Sequence, residues 1–241
     1  INKMRLSLSV SDEENNQLKK SKIFYFLCRD ENEIQKVTGF ATRGIYILAQ
    51  DYVITTFNTH YHELLHFLIY YKLRKLPLYT HPFLQEGFAV GYGGRGGLET
   101  HTISEMGVFL VKSGFVSYNE LLNKSNFQKT DASISYPISG LYTDFLINNI
   151  GIDNYLKLYR KYSDTFEKEL SEMINEKDLF SYAGWNLFLD SLLTQNPIKI
   201  GADLTVSDNK LISIKKDFEV YENEEEYLFR MKDTLLISTP M

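Results

Sequence analysis

Residues 62–66 read His-Glu-Leu-Leu-His. The spacing of the apolar residues around this stretch predicts a helix over about 59–74. Side chains four positions apart lie on one face of a helix, so His62 and His66 can bind one metal ion. Glu63 lies one position further round and can reach a water molecule on that ion without ligating it. Zn²⁺ lowers the pKa of such a water, and a carboxylate can then take its proton.

A catalytic zinc site needs a third protein ligand and one open position. A metzincin-type third histidine is excluded, because the positions where that class carries Gly and His hold Ile69 and Lys72. A glutamate on a following helix is the other route. Glu86 lies in a second predicted helix over 83–90, which a turn containing Pro77 can bring back against the first. Three other residues remain alternative ligands: His81, Glu99 and Glu105.

The predicted elements change from strands to helices along the chain. Four strands are predicted, over residues 4–10, 23–28 (a buried strand), 44–49 and 52–55. A short helix capped by Asp30 and ended by Gly39 lies between them. Further helices are predicted over 104–111, 138–150, 153–162, 165–174 and 179–193. The pattern indicates an α+β fold, in which a small mixed β-sheet lobe precedes a mainly helical lobe that carries the metal site on two adjacent helices.

The domain organisation follows from the same pattern. Residues 1–196 are predicted to form one domain, with a β-rich lobe over about 1–58 and a helical part over about 59–196. Alternating polar and apolar residues return after Pro197, and residues 208–209 are a candidate hairpin turn. Residues 197–241 are therefore expected to be a small β appendage or strands that return to the N-terminal sheet.

Composition excludes several classes of protein. The chain has 26 Lys and Arg residues against 31 Asp and Glu residues and shows no basic stripe, which argues against a nucleic-acid partner. No apolar run approaches the ~18 residues of a transmembrane helix. Cys28 is the single cysteine, so neither an intrachain disulfide nor a cysteine metal cage can form. The start at Ile1 indicates a processed or truncated chain. The oligomeric state is left open.

The two motifs together resemble the gluzincin metallopeptidases of the thermolysin-like clan, and most closely the bacterial domains called peptidase MA-like. In these, an H-E-x-x-H helix is followed by a helix that reads roughly P-x-W-L-x-E-G-x-A. Residues 82–89 carry the Pro, Leu, Glu, Gly and Ala of that pattern, with Phe83 at the Trp position. The resemblance covers about residues 23–190, and it also includes a Tyr-x-x-x-Gly stretch at Tyr136-Gly140 that leads into a helix.

The resemblance implies a zincin-like fold and a peptidase with one Zn²⁺ per chain. It implies zinc ligands His62, His66 and Glu86, with Glu63 as general base. It assigns to Tyr136 the hydrogen bond to the oxyanion, with Tyr142 as second choice. A peptide or protein substrate and an extracytoplasmic location, secreted or in the cell envelope, follow from it.

The chain departs from the family at two places. Val90 stands where thermolysin-like enzymes often carry the acid that orients a zinc histidine, so that partner must come from elsewhere. The Gly-x-Met-Glu-Asn stretch of the clan's aminopeptidases is missing, which favours an endopeptidase. Two alternatives stay open: an inactive binding or structural module that keeps the metal, and hydrolysis of a non-peptide amide.

Two further expectations concern the surroundings of the motif. His60 is expected at the surface or at the helix cap, because it points away from the metal-binding face. Residues 91–97, which include five glycines, are expected to form a loop.

Overall fold

A computed structural model of the protein describes most of the first 161 residues and part of the remainder. The described residues are 8, 10–73, 80–95, 100–112, 116, 118–161, 168, 185, 187–189, 210–215, 218–222, 227–231 and 234–238. Within them the fold is α+β and mostly helical, as predicted. The helices are α1 Asp12–Lys20, α2 Glu31–Thr38, α3 Tyr61–Leu73, α4 Pro82–Gly93, α5 Thr100–Lys112, α6 Tyr118–Leu121, α7 Lys124–Lys129, α8 Ala132–Ile150 and α9 Ile152–Tyr159. The strands are β1 Phe24–Leu27, β2 Gly44–Ile47, β3 Tyr52–Thr55, β4 Lys210–Lys215, β5 Phe218–Glu222, β6 Tyr227–Met231 and β7 Thr234–Ser238.

The N-terminal sheet is small and mixed. Its strand order is β1-β3-β2, with β1 parallel and β2 antiparallel to β3. The helix between β1 and β2 has the predicted caps, Asp30 and Gly39. The prediction of a buried strand at 23–28 is wrong, since Phe24 and Phe26 of β1 are 57% and 45% exposed. Their rings make edge-on contacts with Tyr52 on the same sheet, so aromatic content here reflects cross-strand packing and not burial.

The core of the helical part is the packing of α4 against α8. Gly87 and Gly91 of α4 face Ser139 and Gly140 of α8 at backbone contact distance, because a Cβ on either α4 glycine would lie within 3 Å of a carbonyl oxygen on α8. Glycine is therefore required here for close approach of two helices. This contact places Glu86 of α4 beside the first half of α8.

Replacing Gly87 with Ala is expected to lower the free energy of unfolding by about 2–3 kcal/mol. The added Cβ would lie 2.4 Å from Thr143 Oγ1 and 2.7 Å from the Ser139 carbonyl oxygen, so the two helices must separate. Urea denaturation measures the loss. Gly39→Ala is the control: it has φ +82° and open space around it, so only backbone strain of about 1 kcal/mol applies. Equal losses in both variants would contradict the packing explanation.

Several predicted segment limits differ from those observed, and three of them concern the helices around the motif. Helix α8 begins at Ala132, with Asp131 as N-cap, and not at 138, so Pro137 lies inside the helix. The sequence misleads because proline favours the first turn of a helix. Helix α4 continues to Gly93, so the first three residues of the expected 91–97 loop are helical. Helix α3 starts at Tyr61.

Several predictions fall on residues outside the described set. These are the strand at 4–10 and the turn at 208–209, together with the helices at 165–174 and 179–193 apart from a few positions. One of those positions is Trp185, which is buried against Tyr142 and Phe145 of α8.

The C-terminal strands form a second sheet. They pair antiparallel in the order β4-β5-β6-β7, and the described part of the chain shows them paired only with one another. The domain boundary near 197 remains a prediction. None of the helices in the described ranges combines the length and hydropathy that a bilayer span requires.

Helix α1 is held to the helix of the His-Glu-Leu-Leu-His motif by the Glu14 carboxylate and by the Tyr71 hydroxyl, which donates to the Glu14 carbonyl oxygen at 3.0 Å. Glu14 accepts hydrogen bonds from Ser11 in a capping box and from Lys72 Nζ of α3 at 2.9–3.0 Å. The Ser11 backbone bond and the Lys72 ammonium lower the pKa of Glu14 to about 2.

The contribution of Glu14 to stability is expected to depend on pH. Because its pKa is depressed on folding, the stabilisation is present above the unfolded-state pKa of 4.5 and is lost as the pH falls towards about 2. Glu14→Gln should therefore cost about 1–2 kcal/mol at pH 7 and little at pH 2. Thermal unfolding across this range measures the difference, and Glu13→Gln, on the exposed side of the same turn, should show no such trend.

Candidate metal centre

His62, His66 and Glu86 converge on one point. The Nε2 atoms of the two histidines lie 3.2 Å apart, and Glu86 Oε2 lies 3.2 Å from His62 Nε2 and 3.7 Å from His66 Nε2. All three groups offer ligand atoms within 4.8 Å of one another, so the cluster can hold a metal ion. Two imidazole nitrogens and a carboxylate oxygen are a ligand set that suits zinc.

The fold positions these groups through a close contact between α3 and α4. His62 and His66 occupy the first two turns of α3, as the predicted helix requires. A Cβ at Gly93, the last residue of α4, would lie 2.8 Å from the His62 backbone nitrogen, so α3 and α4 touch at backbone distance. Glu86 is thereby carried by α4 to the histidines of α3.

The two alternative ligands that the structure describes, His81 and Glu105, do not join this cluster. His81 is the N-cap of α4, where its Nδ1 accepts a hydrogen bond from the Phe83 amide. Glu105 lies on α5 and is outside the group of converging ligands. Glu99 is outside the described residues.

The charges of the cluster stabilise one another. Burial opposes ionisation of Glu86, but the charge of His66 and hydrogen bonds to both histidines lower its pKa below the usual range. Burial also opposes protonation of His66, yet Glu86 and, to a lesser extent, Glu63 raise the pKa of its imidazole. The site is thus built around a carboxylate that stays ionised beside two imidazoles, which is what a cation needs.

Glu63 is buried at the same place, with 7% of its surface exposed. It lines a cavity of about 810 Å³ together with the three cluster residues and Tyr136. Other parts of the wall come from β2 and the segments around it and from α3: Gly44, Ile45, Tyr46, Ile47, Leu48, Ile69 and Tyr70. The cavity is therefore mostly apolar, with its ionisable groups gathered at the metal cluster.

Tyr136 stands beside the cluster and Tyr142 does not. The Tyr136 ring is parallel to the His62 ring at a centroid distance of 6.3 Å. Burial and the charge of Glu86 raise the pKa of Tyr136, so its phenol is neutral and able to donate a hydrogen bond. Tyr142, the second choice from sequence, is a core residue packed against Phe83 and Trp185.

His60 is buried and not at the surface, but it does take the alternative expected place at the helix cap, since its carbonyl oxygen accepts a hydrogen bond from the Leu64 amide just before α3 begins. Because α3 begins at Tyr61, His60 lies in the preceding turn and points towards β3, where its Nδ1 is 2.8 Å from Thr55 Oγ1. Burial and the neighbouring His62 lower the pKa of His60 to about 3, so it is neutral. A Cβ at Gly44 would overlap its imidazole, which explains the glycine at the start of β2.

Val90 stands at the position of the orienting acid, and in the described part of the chain no carboxylate bonds to His62 Nδ1 in its stead. Val90 is buried in the core, and His62 Nδ1 is buried without a hydrogen-bond partner in the ranges that the structure describes. One ring nitrogen of this candidate ligand is thus free for water or for a group outside those ranges.

Arg95 is a residue at the site that sequence reasoning did not single out. It lies two positions after α4 and is 6% exposed. Its guanidinium carbon is 5.1 Å from the centre of the Tyr136 ring. A single arginine within a glycine-rich run carries no periodic or motif signal, so only the fold reveals its position.

Comparisons of the chain with protein-family models, with curated proteins and with solved structures gave no match.

Proposed function

We propose that the protein is a zinc-dependent peptidase of gluzincin type with a zincin-like fold. The observation that carries the proposal is the convergence of His62, His66 and Glu86 with the buried Glu63 on one wall of a cavity. The ligand spacing excludes a metzincin, and the H-E-x-x-H helix followed by a Glu helix resembles the gluzincins. A purely structural metal site would have no use for a second buried carboxylate at this position.

The roles of the residues follow from their places. Zinc, when bound, supplies a Lewis acid that acidifies water and polarises a carbonyl group. Glu63 takes the proton of the attacking water and passes it to the leaving amine. Tyr136, neutral and beside the cluster, donates a hydrogen bond to the oxygen on which negative charge develops. His62, His66 and Glu86 hold the metal.

The shape of the cavity supports a peptide as substrate. Strand β2 pairs with β3 on one side only, so in the described sheet it is an edge strand, with the Gly44 amide and carbonyl groups bonded to Thr42 Oγ1. Residues of β2 line the same cavity as the metal cluster. An extended peptide can therefore pair with this edge and place a carbonyl group at the cluster.

The proposal is tested by metal analysis followed by a search for turnover. Protein purified without a metal-affinity tag should contain about one zinc per chain and should cleave members of a broad peptide library. A chelator should abolish cleavage, and added zinc should restore it. Zinc-loaded protein that cleaves no peptide would favour the inactive binding module, and protein that binds no zinc would overturn both interpretations.

Tyr136→Phe is expected to lower kcat by about 10²–10³-fold with little change in KM. Loss of the phenol removes a hydrogen bond that forms with the developing oxyanion and not with the bound substrate. Steady-state kinetics on a cleaved library peptide measures both constants. Tyr142→Phe is the matched control, since Tyr142 lies in the core, and it should keep kcat within a few-fold of the parent protein. Similar losses in the two variants would remove the oxyanion role from Tyr136.

A further inference from the structure

Arg95 has an unusual environment for a buried charge. In the described structure its Nε and Nη2 atoms are buried and have no hydrogen-bond partner, and no carboxylate forms an ion pair with it. Burial lowers the pKa of its guanidinium to about 10, which leaves it fully protonated at neutral pH. An unpaired buried charge is costly, so the position is one that a bound anion would complete.

The two unpartnered atoms belong to the same edge of the guanidinium. Nε–H and one Nη2–H point in the same direction, and together they match the two oxygens of a carboxylate. A lysine ammonium at this place would offer a point charge and no such edge. The free groups on Arg95 are therefore specific for a planar, two-oxygen anion.

The position of Arg95 relates this edge to the proposed chemistry. Tyr136 lines the cavity, and the guanidinium lies over its ring, one aromatic ring away from the cavity wall. The guanidinium carbon is 5.1 Å from the centre of the Tyr136 ring, which is 6.3 Å from the centre of the His62 ring, so Arg95 lies at most about 11 Å from the His62 imidazole. An extended peptide advances about 3.3–3.6 Å per residue, so a carboxylate two or three residues from a carbonyl group at the metal cluster falls within that distance. The charges of Asp131 and Glu86 act on Arg95, and in the described structure neither carboxylate forms an ion pair with it.

We propose that Arg95 binds a carboxylate group of the peptide substrate through its Nε and Nη2 edge. The inference rests on the proposed peptidase function and narrows its substrate class to peptides with a carboxylate close to the scissile bond. That carboxylate belongs either to the C-terminus of the peptide or to an acidic side chain. Because the guanidinium is nearly removed from water, the charged pair gains more than it would at the surface.

The experiment measures binding without turnover. Zinc-loaded protein carrying Glu63→Gln is titrated calorimetrically with acetyl-Phe-Leu-Ala as the free acid and as the C-terminal amide. A second pair, the amides of acetyl-Phe-Leu-Glu and acetyl-Phe-Leu-Gln, tests an acidic side chain. The carboxylate member of at least one pair should bind about 10- to 100-fold more tightly than its neutral partner. The pair that shows the preference identifies the source of the carboxylate.

The tighter binding of the carboxylate peptide over its neutral partner should depend on Arg95 alone. Arg95→Met keeps similar volume and should bring the two members of the pair within about twofold of each other. Arg95→Lys keeps the charge without the two-donor edge and should retain only a few-fold preference, and it serves as the second variant if Arg95→Met does not fold. Arg43→Met is the control for long-range charge, because Arg43 lies next to the cavity-lining Thr42 and Gly44 and is partly exposed. It should leave the preference unchanged.

Three results would overturn the inference. The first is equal binding of the two members within both pairs. If the parent protein still cleaves library peptides in that case, the peptidase proposal stands and only the carboxylate site is excluded. A preference that survives in Arg95→Met would assign the carboxylate to another group. Absence of binding by all four peptides would also exclude the site, and turnover by the parent protein then shows whether the peptidase proposal fails with it.

Discussion

Glu63→Gln is expected to lower peptide hydrolysis by about 10³-fold or more and to leave the zinc content at one per chain. The amide has nearly the shape of the carboxylate but cannot take a proton from water. Glu63 is not one of the three converging ligands, so the metal cluster stays complete in the variant. Loss should appear in kcat, since the missing proton transfer belongs to the chemical step.

The measurement pairs elemental analysis with initial rates on a library peptide that the parent protein cleaves. Glu105→Gln is the matched control, because it removes a half-buried carboxylate from α5 outside the cluster, and it should retain the parent rate. A Glu63→Gln variant that loses zinc would make Glu63 a ligand. One that keeps both zinc and full rate would exclude it as general base.

The local features of the site were accessible from sequence because they depend on periodicity. The four-residue spacing of His62 and His66 fixes their common face once the segment is helical. The α2 caps, Asp30 and Gly39, were equally clear, because each depends on the chemistry of one residue at a helix end. Such signals depend on residues close together in the sequence, so the tertiary packing of the rest of the chain does not change them.

Features that depend on tertiary packing were missed. The burial of His60 follows from the glycine at 44, which lies 16 residues earlier and makes room for the imidazole. The exposure of β1 depends on its place at a sheet edge, which aromatic composition does not reveal. Arg95 becomes notable only when Tyr136 of α8 lies beneath it. Each of these features depends on how segments distant in sequence pack together, and the sequence carries no periodic signal for such packing.

Glu86→Ala is expected to weaken zinc binding by about 10³-fold or more, the largest effect on the metal that a single substitution in the cluster should have. Glu86 supplies the negative charge of the ligand set, and its oxygen lies within 4 Å of both imidazoles. Partners of zinc ligands outside the ligand set commonly affect affinity by 10- to 100-fold, and loss of a ligand itself should exceed this. Competition with a chromogenic chelator measures the affinity directly.

The same variant should lose the stabilisation that zinc gives to the fold. A metal that binds only the native state raises stability with the logarithm of its concentration, so zinc should raise the thermal midpoint of the parent protein and not that of Glu86→Ala. Glu86→Gln tests charge against shape, because it keeps an oxygen ligand and removes the ionised group that the histidines hold at low pKa. The zinc affinity of Glu86→Gln should fall between that of the parent protein and that of Glu86→Ala. If Glu86→Ala binds zinc as tightly as the parent, the third ligand is another residue. The contact of Glu86 with the two histidines would then have a role other than zinc binding.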